Sequence, residues 1–178
     1  IVIDGRALAP LWFAMNNQFG NDAVNVNEVR LAHGAGVDIF GVLLRLDWHM
    51  SREEADRLIA TFCDANPEGW FYAQGWVGPD GAWLSEHPEA RVRLAGGREL
   101  HWASPASEAW REDAARKLRE LVAHILRGPC GSRFIGVEFH YLNTAEWFYP
   151  HMEDFPDYSP ASQAGFRDHL RAEYETSA

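Results

Sequence analysis

The chain has 178 residues, 47% hydrophobic and 24% charged, a composition for one folded domain with a core rather than a disordered segment. The 16 basic and 26 acidic side chains leave a net charge of −10, which argues against nucleic acid and anionic membrane as partners, because both need clustered Lys and Arg. No apolar run approaches the roughly 20 residues of a membrane span.

Residues 1–10 hold Asp4-Gly5 between short apolar runs, a hairpin signal. Residues 11–15 read as a short strand. Residues 27–39 place Val29, Ala32 and His33 at helical spacing, with Gly36 to end the helix. Residues 40–46 form a nearly unbroken apolar run, the pattern of a strand buried on both faces. Ser51 and Glu54 form a capping box ahead of the stripe Leu58, Ile59 and Phe62, and Asn66-Pro67 stops that helix. Residues 70–74 are a third strand. A long loop is expected from 75 to about 105, carrying Trp76, Trp83, His87-Pro88 and Trp102. Trp110, Ala114, Leu118, Leu121, Val122 and Ile125 predict a helix over 107–127, and residues 134–140 a fourth strand. Ser159-Pro160 then caps a last helix with Phe166, Leu170 and Tyr174 on one face.

Strand and helix alternate four times, which means parallel strands with right-handed crossovers. The turn after the first strand, residues 15–20, lacks a phosphate-cradling glycine pattern, so a nucleotide-binding open sheet is disfavoured. The expectation is an α/β fold of parallel (β/α) units, the N-terminal half of a TIM (β/α)8 barrel. Residues 1–178 would form one partial catalytic domain of about four units. The chain starts at Ile1 without an initiator Met and stops soon after a helix, so both ends read as cut. Two raw sheet edges would favour homo-oligomers or aggregation. Cys63 and Cys130 form neither a disulfide framework nor a zinc spacing, so a reduced, cytoplasmic protein is expected.

The candidate chemistry lies in residues 133–150, RFIGVEFHYLNTAEWFYP. An apolar strand there opens into a carboxylate, Glu146, among Asn143, Trp147 and Tyr149. Apolar walls raise a carboxyl pKa, and flat rings stack on sugar faces. The alternative for Glu146 is a solvated loop carboxylate. Glu138 lies inside the strand, so it must point into a barrel interior or pair with a cation, and pairing with Arg45 is the expectation. His140 either lines a cleft floor or is a satisfied core histidine. Asp47 and His49, at the end of the second strand, either bind sugar hydroxyls or cap a loop. Trp83 either stacks on a sugar or packs. His140, Glu146, His151, Glu153 and Asp154 lack metal-site spacing, so neither metal nor cofactor is expected.

Three stretches resemble clan A glycoside hydrolases, and among them the family 42 β-galactosidase-like enzymes. The first is IVIDGRALAPLWFAMN with NEVRLAHGAGVDIFGVLLRLDWH. The second is WVGPDGAWLSEHPEARV. The third joins ASPASEAWREDAARKLRELVAHI and RFIGVEFHYLNTAEWFYP to YSPASQAGFRDHLRAEYET. The resemblance implies that Glu146 is the general acid/base at the end of strand four. Ala145 stands where the clan has Asn; the nearest Asn is Asn143. The clan's nucleophile, a Glu near strand seven, has no counterpart here. The implied activity is a retaining glycoside hydrolase for β-galactosides or related oligosaccharides, with Asn143, Trp147, Trp83, Asp47 and His140 as substrate contacts. The alternative is a non-catalytic carbohydrate-binding protein on the same scaffold, with Trp76, Trp83 and Trp147 as platforms.

Overall fold

The computed structural model describes residues 1–3, 5–14, 21–45, 50–142 and 154–174. They fall into two compact units. The first comprises Ile1–Leu46, Met50–Trp76 and Arg119–Phe139; the second comprises Asp47–His49, Val77–Leu118 and His140–Ala178.

The first unit opens with the expected hairpin, β1 (Val2–Ile3) against β2 (Arg6–Ala7), turning at Gly5 with φ 77°. Its main sheet holds β3 (Ile39–Arg45), β4 (Trp70–Trp76) and β7 (Phe134–His140), in that order. The strands run parallel, with Ile39 opposite Trp70 and Arg45 opposite Trp76. Among the described residues, those expected as a first strand contribute an isolated parallel bridge, Phe13 to Phe40. There Phe13 N–H donates to Ile39 O (2.8 Å) and Gly41 N–H to Phe13 O (2.9 Å). The spatial order therefore follows the chain order, as in the successive strands of a (β/α) barrel.

Period-two alternation divides this sheet into two faces. Phe40, Val42 and Leu44 of β3 and Phe71 and Ala73 of β4 point one way. They share a buried core with Val29, Ile59, Phe62 and Ile125. The helices supplying those residues are α1 (Asp22–Gly34), α2 (Arg52–Ala65) and the end of α4 (Glu108–Arg127). Polar contacts at the rim link the same helices: Arg57 to Asp22 at 2.7 Å and His124 to Asp56 at 2.8 Å.

Helix α1 starts earlier than its apolar spacing suggests, because Asn21 caps it and accepts from Val24 N–H. Ser51 caps α2 by accepting from Glu54 N–H at 3.1 Å. The reciprocal half of the expected box is replaced: Glu53 is the carboxylate engaged at this cap. A backbone hydrogen bond, then the Ser51 hydroxyl, hold it below the usual range.

In the second unit the long loop proves to have structure of its own. It contains α3 (Gly81–Glu86), a 3-10 turn at Pro88–Ala90, and a hairpin of β5 (Arg91–Arg93) with β6 (Glu99–Ala103). Asp80 caps α3, accepting from Trp83 N–H at 2.7 Å. Ser159 caps α5 (Pro160–Tyr174) through Ser162 N–H at 3.1 Å. No residue of α5 is buried, and Phe166 stays 62% exposed.

Replacing Phe71 by Ala should cost about 3–5 kcal/mol, because it is fully buried at the centre of the core. Phe166→Ala should stay within about 0.5 kcal/mol. Urea unfolding of the two variants against the parent checks the contrast.

Candidate active site

The candidate loop is launched by a buried aromatic anchor. Directly after β7, Tyr141 is fully buried. Its hydroxyl donates to Ala103 O at 2.6 Å, and its ring stacks on Trp110 at 4.5 Å and meets Trp102 edge-on at 6.0 Å. Trp110 in turn donates from Nε1 to Val77 O (3.2 Å), while Val77 N–H donates to His140 O (3.1 Å). A phenol between two indoles, with the Tyr141 hydroxyl and the Trp110 N–H both bonded, fixes the path of the chain here. Leu142 follows, 1% exposed, with φ 62°. A side chain with a Cβ is held in the left-handed region only where its surroundings compel it. The next residues, Asn143, Glu146 and Trp147, lie outside the described residues, as does Asp47.

His140 ends β7 and is half-buried. Trp83 sits on α3 and is 7% exposed. One ring face lies on His87 at 4.2 Å, and its Nε1–H donates to Asp113 Oδ2 at 2.8 Å. These are packing contacts. Arg116, at 2.8 Å, and then the Trp83 N–H hold the Asp113 carboxyl below its usual range.

The other face of the main sheet carries a polar group in which Glu138 meets two residues the sequence did not single out, Gln74 and Tyr72. Gln74 is 3% exposed and donates from Nε2 to Glu138 Oε2 at 3.2 Å. Tyr72 stands beside the same carboxylate. Burial first, then the Glu138 charge, push its phenol well above its usual pKa. Gly41 makes room for both: a Cβ there would lie 2.8 Å from Tyr72 Oη and 2.9 Å from Gln74 Cδ. Gln74 and Tyr72 are thus two neighbours of the Glu138 carboxylate. The Arg45 side chain expected there is outside the described ones. A cleft of about 310 Å³ opens on this face, lined by Ile1, Trp12, Ile39, Tyr72, Ile135 and Glu138 among others. Among the described residues, no group of three or more His, Cys, Asp or Glu could hold a metal ion. No helix there is long and apolar enough to cross a membrane.

No family model matches the chain. No curated protein matches it either. Solved structures do. The catalytic domain of a β-amylase from Paenibacillus polymyxa superposes with a TM-score of 0.59 at 14% identity, over 96% of this chain and 49% of that one. A thermostable mutant of a xylanase from Cellvibrio japonicus gives a TM-score of 0.49 at 17% identity, over 89% of this chain and 49% of that one. The fold is that of parallel (β/α) units making up half of a TIM barrel. The chain spans about half the length of the structures it resembles.

The Tyr72 phenol gives this site a pH signature. Its folded pKa lies above the unfolded value near 10, so above about pH 10 the unfolded chain has lost a proton that the folded chain keeps. Stability should therefore fall as pH rises past that point. Tyr72→Phe should flatten the decline between about pH 10 and 11, read from urea midpoints at each pH.

Proposed function

We propose that this chain is the acid/base-bearing half of a glycoside hydrolase barrel. Glu146 would protonate the departing glycosidic oxygen and later deprotonate the attacking water. The likeness to a β-amylase catalytic domain carries the reading, because it gives the chain a scaffold on which strand C-termini bear catalytic groups. The sequence adds Glu146, six residues beyond the end of β7, where such a group would sit. Tyr141 and Leu142 support it as a rigid base for that loop, since a proton donor must be held close to its target.

The finer reading is retention of configuration on β-galactosides or related oligosaccharides, and it rests on the sequence resemblance to family 42. A retaining site needs a second carboxylate about 5–5.5 Å from the first. That nucleophile would come from the remaining half of the barrel. Asn143, Trp147, Trp83, Asp47 and His140 are proposed as substrate contacts. The polypeptide of residues 1–178 alone should show no hydrolysis of an aryl β-galactoside; measurable turnover would overturn the half-site reading.

In the complete enzyme, Glu146→Gln should lower kcat/KM by about 10²–10⁴ for a substrate with a poorly acidic leaving group, while sugar binding persists. The loss should shrink for a dinitrophenyl glycoside, whose leaving group needs no proton. Equal losses on both substrates would remove Glu146 from the acid role. A complete protein that binds sugar but never cleaves it would favour the carbohydrate-binding alternative.

A further inference from the structure

The cleft on the sheet of the first unit differs in chemistry from one end to the other. Much of its lining is apolar: buried Ile39, half-exposed Ile135 and the exposed indole of Trp12. Glu138 is the acid among its described lining residues, and the Tyr72 phenol stands beside it. Gln74 holds that carboxylate by donating from Nε2 to Oε2 at 3.2 Å. The oxygen of the same amide, Oε1, is buried and meets no donor among the described residues, and Gln74 as a whole is 3% exposed. A buried acceptor left without a donor is costly. A carboxylate also has lone pairs beyond the one that Gln74 uses. The polar end of the cleft therefore calls for hydrogen-bond donors. The amino group of Ile1, which also borders the cleft, donates to Leu8 O at 3.3 Å. Along the sheet the cleft lies toward the strand starts, since Ile39 is the first residue of β3 and Ile135 the second of β7, whereas Glu146 follows β7 in the chain.

We propose that this cleft binds a small organic ammonium ion with an apolar body, its head on Glu138 and its body against Trp12 and Ile135. An ammonium group carries donors enough for both the Glu138 carboxylate and Gln74 Oε1, and its bonds to a carboxylate are charge-assisted. An acidic ligand would be repelled by Glu138 and by a chain of net charge −10. Aromatic rings suit both parts of such a ligand, because their faces attract cations and cover apolar surface. The cleft volume of about 310 Å³ stands at the lower limit of ligand pockets, roughly 300–1,000 Å³, which sizes the ligand at one or two rings. Binding here is independent of the proposed hydrolysis, so its failure would leave that reading untouched.

The test uses three ligands that share an indole body and differ in the head: tryptamine, tryptophol and indole-3-propionate. Each is measured by equilibrium dialysis against the 178-residue protein near neutral pH. Tryptamine should bind about tenfold more tightly than tryptophol, and indole-3-propionate most weakly. Added salt should weaken tryptamine and leave tryptophol unchanged. Glu138→Gln should bring tryptamine down to the affinity of tryptophol, and Trp12→Ala should weaken both. If Glu138→Gln fails to fold, the head-group series on the unaltered protein and Trp12→Ala, at an exposed position, decide. Equal affinity for the three ligands, or no retention of tryptamine, would overturn the proposal. So would a Glu138→Gln protein that still prefers the ammonium head, or a Trp12→Ala protein that binds tryptamine as tightly as before.

Discussion

Burial of one face of a parallel sheet is the constraint from which the first unit is built. Phe71 is the clearest case. It is fully buried, 6.2 Å from Phe40 and 5.5 Å from Phe134, and so touches the strands on both sides of its own. With Val42, Leu44 and Ala73 it forms a surface that only helices can cover, and α1, α2 and the end of α4 supply the cover. At roughly 25 cal/mol per Å² of apolar surface, burial on this scale is what offsets the entropy of ordering so many residues. Polar contacts such as Arg57–Asp22 are exposed and contribute little beside it.

Fixing one face also fixes the other, because side chains alternate. Once Phe71 and Ala73 are committed to the core, Tyr72 and Gln74 must emerge on the opposite side. Gly41 on the neighbouring strand leaves them the space to lie down. Glu138 meets them there, so its carboxylate is held by an amide and faced by a phenol. A polar layer on the inner face of a β/α sheet is therefore a consequence of register, and a one-residue slip would send those groups into the helices.

That logic explains what could be read in the sequence. The strands at 39–45, 70–76 and 134–140 were legible because buried parallel strands are apolar runs, and the caps at Ser51 and Ser159 were legible because hydroxyls there satisfy free N–H groups. The six-residue helix α3 was not, since it is too short to show a period. The β5–β6 hairpin left a faint trace, alternating Val92, Leu94, Leu100 and Trp102 about Gly96-Gly97, which the aromatic content of the loop obscured. Trp83 illustrates a harder limit. Its donor partner Asp113 and its stacking partner His87 follow from tertiary packing that no local pattern encodes. Tyr141 is similar: it reads as one more loop aromatic, yet it is buried, stacked on Trp110 and hydrogen-bonded to Ala103 O.

The strand leading to the candidate acid is also the least covered of the three. β3 and β4 are almost wholly buried, whereas Ile135 and Phe139 of β7 are each 42% exposed. Among the described residues β7 is also the last strand of its sheet order. Within the first unit, the turn that precedes it is tightly held. At the start stand Arg133, spanning Cys130, Asn66 and Gly69, and the tight turn at Gly131, where a Cβ would strike Leu126 O. The turn before the strand is thus held by hydrogen bonds from one guanidinium, while Ile135 and Phe139 leave part of the strand's apolar surface exposed.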